Sequence, residues 1–155
     1  RLDPDLLYEI AKSKPEYSFV MIRGEDNIFK NHQLHELKNM YFFGKIPKET
    51  VPAYMSAFDV CINPQKLNEI TIGNYPRKID EYLAMGKPVV ATRTMTMEMF
   101  REHTYLCTGL EEYQDALDKA LTENNPEKTK ERILFANSHS WENNVKTIYQ
   151  IIDKK

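Results

Sequence analysis

The sequence predicts an α/β protein, an open parallel sheet covered by helices on both faces. Short apolar runs of strand length recur along the chain and alternate with segments of helical period. The runs are apolar throughout, without polar residues at every second place, as strands buried on both faces are. Helices between successive strands are what parallel pairing requires. A chain of 155 residues, 41% hydrophobic and 28% charged, has the size and composition of one domain with a substantial core.

Asp3-Pro4 starts the first helix, with Asp3 as cap and Pro4 presetting φ in the first turn. Leu6, Leu7, Ile10 and Ala11 recur on one face, and the helix ends before Pro15. Tyr17 to Ile22 is the first strand, followed by the loop Arg23-Gly24-Glu25-Asp26. Asn27 to Asn39 is polar, with one helical turn expected around Leu34 and Leu37. Met40 to Phe43 is a second strand, closed by Gly44. A short helix follows from about Lys48 to Ala57, and its Pro52 is tolerable only near the first turn. Phe58 to Ile62 is the third strand, ended by Asn63-Pro64. A helix entered at Tyr75-Pro76 runs to Gly86, and Pro88 to Ala91 is the fourth strand. Met95 to Glu102 reads as helical and Tyr105 to Cys107 as a short fifth strand. The remainder is helical: a stripe of Leu110, Tyr113, Leu117, Ala120 and Leu121, a helix opened by Pro126 with Ile133, Leu134 and Ala136, and a last one capped by Ser140.

A net charge of −2 gives no support to a nucleic-acid reader, which carries a basic face. No apolar run approaches the roughly 20 residues that span a bilayer, and no signal-peptide pattern is seen. The two cysteines, Cys61 and Cys107, sit in apolar strand-like segments and read as core thiols in a reducing, cytoplasmic compartment. The chain opens at Arg1-Leu2-Asp3 without an initiator methionine, which leads us to expect a piece of a longer protein.

The stretch Asn63 to Thr92, NPQKLNEITIGNYPRKIDEYLAMGKPVVAT, has the order strand, loop, helix, strand. In open parallel sheets that unit holds phosphate-bearing ligands off the carboxyl ends of the strands. Free N–H groups at the helix start would face Gly73-Asn74-Tyr75, and Lys78 in the first turn adds positive charge. Glu81 lies beside Lys78 on the helical wheel, where a carboxylate can accept from ribose hydroxyls. On residue types alone, a surface i,i+3 ion pair is the simpler reading of Lys78 and Glu81. The loop with Lys66, Asn68, Glu69 and Thr71 is either a binding loop or a connector. Asp3-Pro4-Asp5 spells a D-x-D metal string but reads more simply as a helix cap and first-turn acid. His32 and His35 have metal-like spacing without further ligands nearby, so a solvated turn is the expectation. No arrangement for nucleophilic catalysis can be assembled.

The same stretch resembles the nucleotide-sugar-binding segment of GT-B glycosyltransferases, specifically the large retaining group one family. LDPDLLYEIAKSKPEYSFVMIRG resembles the first helix and second strand of that family's C-terminal domain. NMYFFGKIPKETVPAYMSAFDVCINP resembles its strand, turn, short helix and strand ending at the donor site, and ANSHSWENNV resembles the start of its final helix. The resemblance implies a Rossmann-like, doubly wound domain over 1–155 that binds the donor, a nucleotide-diphosphate sugar. The last helix, from about 140, would cross toward an N-terminal GT-B domain carrying the acceptor site. It implies Asn74, Tyr75, Pro76 and Lys78 along the diphosphate and Glu81 at the ribose. Gly44, Lys45 and Ile46 would flank the base, and Gly24 would border the cleft. No metal and no cofactor is implied. Retaining transfer to a glycan or lipid-linked acceptor follows, as in polysaccharide assembly, with peripheral membrane contact only through the N-terminal half. This chain alone is expected to bind donor without turnover.

The sequence departs from the family at two places. The family pairs two glutamates eight residues apart, and Gly73 stands where the first would be. Asn68 or Glu69 then takes over the sugar contact; catalytic groups are expected largely on the N-terminal domain, with Glu69 the candidate within this chain. A strand, a glycine turn and a basic residue normally precede the first helix, and none lies ahead of Arg1 here. Without them the sheet has a gap between Tyr17–Ile22 and Phe58–Ile62; either those residues belong to the longer protein, or the sheet closes in some other way. Two other classes stay open: a sugar-nucleotide epimerase on the same scaffold, and a non-catalytic module that binds a protein partner.

Overall fold

The computed structural model describes residues 2–69, 71–138 and 141–152. Helix α1 spans Pro4–Ser13, and Asp3 caps it by accepting from the Asp5 and Leu6 amides, both at 3.1 Å. Strand β1, Phe19–Met21, pairs in parallel with β2, Met40–Phe42. Between them lie α2, Asn27–Lys30, and a 3₁₀ turn, Gln33–Glu36. The sequence reading expected a single turn there. It missed Asp26, which caps α2 through the Ile28 and Phe29 amides and so buries Phe29.

The helix expected over Lys48 to Ala57 divides into a 3₁₀ turn, Lys48–Thr50, and α3, Val51–Ser56. Pro52 has no N–H to donate, so the α-helical part starts around it. Strand β3 is Cys61–Asn63, α4 is Arg77–Ala84, and β4 is Val89–Thr92. Met95–Phe100 is a 3₁₀ segment capped by Thr94, within the stretch expected to be helical. Strand β5, Tyr105–Cys107, falls at its expected bounds. Helices α5, Leu110–Thr122, α6, Pro126–Ser138, and α7, Trp141–Ile152, complete the chain. The expected cap of α7, Ser140, lies outside the described residues.

Strand β4 shows why the fold is layered. All of its residues are buried, yet alternate ones enter different cores. Val90 packs with α1, β1, β2 and α5, whereas Val89 and Ala91 pack with α4, the 3₁₀ segment and α6. Each buried valine contributes about 1.5–3 kcal/mol relative to exposure, so β4 anchors both layers. The observed fold is thus the expected Rossmann-like α/β arrangement, with helices on both faces of parallel strands.

Two packing details differ from simple amphipathic expectation. In α6, Leu134 points outward at 59% exposure, while Arg132 is buried at 3%. Arg132 donates to the Gly86 carbonyl at 3.2 Å and to the Asn124 amide oxygen at 2.8 Å. Gly86 ends α4 at φ +70°, and a Cβ there would stand 2.5 Å from the Thr129 methyl. Glycine is therefore required twice over, by backbone conformation and by the close approach of α6.

The described residues leave the expected gap between β1 and β3. Among the described residues the strands form two sheets, β1-β2 and β3-β4-β5. The edges of β1 and β3 line opposite sides of one groove of about 690 Å³.

Candidate functional site

At the carboxyl ends of the strands, the loop after β3 is held by buried hydroxyls. Thr92 accepts from the Gln65 amide at 2.8 Å and bonds the Tyr113 hydroxyl at 2.9 Å. Tyr113 also donates to the Asn63 carbonyl at 3.1 Å, tying α5 to the top of β3. Burial pushes the Tyr113 phenol well above its ordinary value, so it stays a neutral donor. Farther along, Thr71 is only 2% exposed and its hydroxyl donates to the Lys66 carbonyl. The Thr71 amide donates to the Asn68 side chain at 2.9 Å, and Gln65 reaches the Thr71 carbonyl at 2.9 Å. This segment is a built loop, its shape set by its own polar side chains.

Pro76 lies outside α4, at φ −86° and ψ 73°, so the helix begins one residue later than the sequence implied. That change reduces the free donors at its start. The Arg77 amide is taken by the Tyr75 carbonyl at 3.0 Å and the Ile79 amide by the Pro76 carbonyl at 2.8 Å. No side chain caps the helix. Among the described residues the Lys78 amide has no carbonyl partner, leaving it as a first-turn donor next to its own ammonium group.

Lys78 and Glu81 are both exposed and both line the groove between β1 and β3, beside Asn63, Pro64 and Arg23. Among the described residues neither forms an ion pair, so the surface pair that their spacing allows is not made. Ile79 and Leu83, on the opposite side of α4, are fully buried and fix the helix against the sheet. The groove therefore carries a cation and a carboxylate on a rigid element, with neither committed to the protein.

The other residues singled out from the sequence fall into two further groups. Asn68, Glu69, Asn74, Tyr75 and Pro76 lie along the loop before α4, outside the groove lining. The Asn68 side-chain oxygen is engaged by the Thr71 amide. Glu69 is exposed, and among the described residues it makes no ion pair. Asn74 accepts from Thr96 at 3.1 Å through its carbonyl. Gly24, Lys45 and Ile46 follow the ends of β1 and β2, on the same side of the sheet but likewise outside the groove lining. Gly44 before them takes φ +69° with open space around its α-carbon, so conformation alone demands glycine.

Sequence reasoning missed two features. Arg23 lines the groove across from α4, its guanidinium 4.8 Å from the Phe29 ring centroid. Its place directly after a strand was the available signal, and attention went to Gly24 instead. The second is Asp80, which accepts from the Tyr75 hydroxyl at 2.6 Å. Burial and this carboxylate together raise the Tyr75 phenol above its ordinary range, so it remains a proton donor. The pair fixes the loop to the start of α4.

The remaining candidates serve structure. His32 contacts Asp5 at 3.1 Å and His35 contacts Glu25 at 2.9 Å, so the two imidazoles address different acids. Both cysteines are buried free thiols, and burial pushes each up to about 12. They stay protonated and inert at neutral pH.

The profile of the family described as Glycosyl transferases group 1 matches residues 5–123. A Bacillus subtilis (strain 168) protein named as a teichuronic acid biosynthesis glycosyltransferase is 30% identical over 148 residues. That match covers 91% of this chain and 37% of the relative, so the chain spans little more than a third of the relative's length.

Proposed function

The chain belongs to the Glycosyl transferases group 1 family, and we propose that it binds the nucleotide-diphosphate sugar donor of a retaining glycosyltransferase. One observation carries this reading: Lys78 and Glu81 stand on the first turns of a helix fixed against the sheet, without ion-pair partners among the described residues, in a groove that runs along β1 and β3 and includes Arg23, Asn63 and Pro64 at their carboxyl ends. A ligand with a phosphate and a vicinal diol supplies what both lack, an anion for the ammonium and hydroxyl donors for the carboxylate.

In mechanism, the Lys78 ammonium and amide would neutralise the charge that develops on the leaving diphosphate. Groups already aimed at that charge cost no reorganisation during the reaction, which is the largest source of such catalysis. Arg23, on the far side of the groove, adds a second cation. Glu81 would hold the ribose and so fix the distance between base and phosphate. With Asn68 engaged by Thr71, Glu69 is the loop residue best placed to touch the sugar in the absence of a glutamate at position 73. The acceptor, a glycan or lipid-linked saccharide of the kind a surface-polymer pathway uses, would bind on an N-terminal domain, at the cytoplasmic side of the membrane. None of the described helices is long and apolar enough to cross a bilayer.

A thermal-shift panel of UDP, GDP, dTDP and ADP nucleotides and their sugars tests the reading. A rise in Tm with one base series, larger for its sugar than for the bare nucleotide, is the expected result. No shift with any of them would assign Lys78 and Glu81 to a protein-binding surface.

A further inference from the structure

A second cavity, of about 270 Å³, opens at the other end of the sheet, between the amino end of β5 and the first turns of α6. Three cations, Arg101, Lys128 and Arg132, and three acids, Glu102, Glu123 and Glu131, line it. Two pairs close on themselves. Arg101 bonds Glu102 at 2.9 Å on the outer rim, and Lys128 bonds Glu123 at 3.1 Å. The Tyr105 hydroxyl also donates to Glu123, at 3.0 Å. The bonds from Lys128 and Tyr105 hold the Glu123 carboxyl below its ordinary range, so that pair stays ionised.

Glu131 and Arg132 remain. Neighbours in sequence on a helix do not face each other, and among the described residues neither forms an ion pair. Glu131 is exposed and solvated, but Arg132 is buried. Its Nη1 donates to the Gly86 carbonyl and to the Asn124 amide oxygen, both neutral acceptors. The donors on Nε and Nη2 have no partner among the described residues, and the residue lines the cavity. Burial pulls the guanidinium below its ordinary value, yet it stays protonated. A charge withdrawn from water without a counter-charge in contact is unfavourable, and buried charges are for that reason normally paired.

Nε and Nη2 form the side of a guanidinium that takes a carboxylate in two parallel bonds. We propose that this cavity binds a small zwitterion, its carboxylate on Nε and Nη2 of Arg132 and its ammonium on Glu131. A ligand with one charge of each sign answers the one cation and one acid that the protein leaves uncommitted. A phosphate dianion suits the cavity less, because three glutamates line it and Arg101 and Lys128 are already engaged. The size agrees: the cavity falls below the roughly 300–1,000 Å³ of pockets for drug-sized ligands, which suits a few heavy atoms rather than a nucleotide. Bound there, the ligand would brace the joint between α4 and α6, since Arg132 holds the end of α4 through Gly86.

The site stands apart from the donor reading, because it lies at the opposite end of the sheet and its test uses no nucleotide. The probes are acetate, methylammonium, inorganic phosphate and a series of ω-amino acids from glycine to ε-aminocaproate, which spaces the two charges progressively. Nitrogen-15 NMR follows the Arg132 side chain and the backbone amides around Tyr105 during each titration. The expected result is at least one amino acid that binds about tenfold tighter than acetate and than methylammonium, with the Arg132 Nε–H signal moving. Arg132→Lys would also loosen the tie to Gly86, so the deciding variant is Glu131→Gln, at an exposed side chain outside those bonds. It should bring the best amino acid down to the level of acetate. Amino acids no tighter than acetate would overturn the proposal, as would a best ligand whose affinity Glu131→Gln leaves unchanged. Phosphate that binds tighter than every amino acid would also overturn it, by assigning the cavity to an oxyanion.

Discussion

The two sheets of this domain are built to different standards of rigidity. In β3-β4-β5, the central strand is buried along its whole length and feeds cores on both faces. The loop above it is pinned by Thr92, Tyr113 and Thr71. In β1-β2, Phe19 and Met40 are buried on one side, but Tyr41 is 48% exposed, and Phe43, just past β2, is 53% exposed. Its link to the rest of the domain includes a surface tie, in which Asp118 of α5 accepts from Lys14 at 2.7 Å and from Tyr17 at 2.8 Å. The proposed donor site lies on the seam. Its charged groups, Lys78 and Glu81, stand on the rigid side, and the residues assigned to the base, Lys45 and Ile46, on the looser side. The division suits the proposed roles, because charge stabilisation at the phosphates needs the fixed geometry that the rigid side provides.

Two glycines with nearly the same backbone test this contrast with the largest expected effect. Gly86→Ala on the rigid side meets both a left-handed φ and the Thr129 methyl, and is expected to cost about 2–4 kcal/mol. Gly44→Ala on the looser side meets the φ alone and is expected to cost about 1–2 kcal/mol. Denaturant unfolding of the two variants measures the difference, and equal losses would break the comparison.

The fold was largely legible in the sequence because its signals are local. Asp3-Pro4 marks a helix start, Pro88-Val89-Val90-Ala91 marks a buried strand, and Tyr105 to Cys107 was placed at its observed bounds. What was missed depends on tertiary contacts. Leu134 points outward because Arg132 takes the inner position under Gly86, a preference no helical period reveals. The start of α4 moved by one residue because Pro76 took a backbone conformation outside the helix. In the site, Lys78 and Glu81 were legible from spacing, yet residue types alone favoured a surface ion pair, and only side-chain placement shows that among the described residues neither forms one. Arg23 was hidden for a different reason: it reaches the groove through the packing of β1, far away in sequence.

The pinned loop supplies the next prediction. Thr92→Val keeps shape but leaves the Gln65 amide without its partner and removes one of two bonds from Tyr113. A loss of about 2–3 kcal/mol is expected, read as a Tm lower by about 4–12 °C. A smaller effect concerns the sugar. Glu69→Ala should weaken the nucleotide sugar about tenfold while leaving the bare nucleotide within about twofold, roughly a 1.4 kcal/mol distinction. Equal loss for both ligands would remove Glu69 from the sugar site.

The smallest effect lies on the looser side and depends on pH. Hydrogen bonds from Lys14 and Tyr17 hold the Asp118 carboxyl below its ordinary 3.8. A carboxylate depressed in the folded state adds stability above its unfolded value and loses it as pH falls through the folded one. The tie should thus be present at neutral pH and fade below about pH 4. Being half exposed, it is worth only about 0.5 kcal/mol. Asp118→Asn should narrow the stability difference between pH 7 and pH 3 by that amount, and an unchanged difference would show that the tie carries no load.

The most direct test of the donor site is calorimetric titration of the best nucleotide sugar from the thermal-shift panel. It compares the parent chain with Lys78→Ala, Glu81→Gln and, as a distant surface control, Arg101→Ala. The account predicts affinity lower by tenfold or more for each groove variant and unchanged for the control. Binding that survives intact in both Lys78→Ala and Glu81→Gln would contradict it.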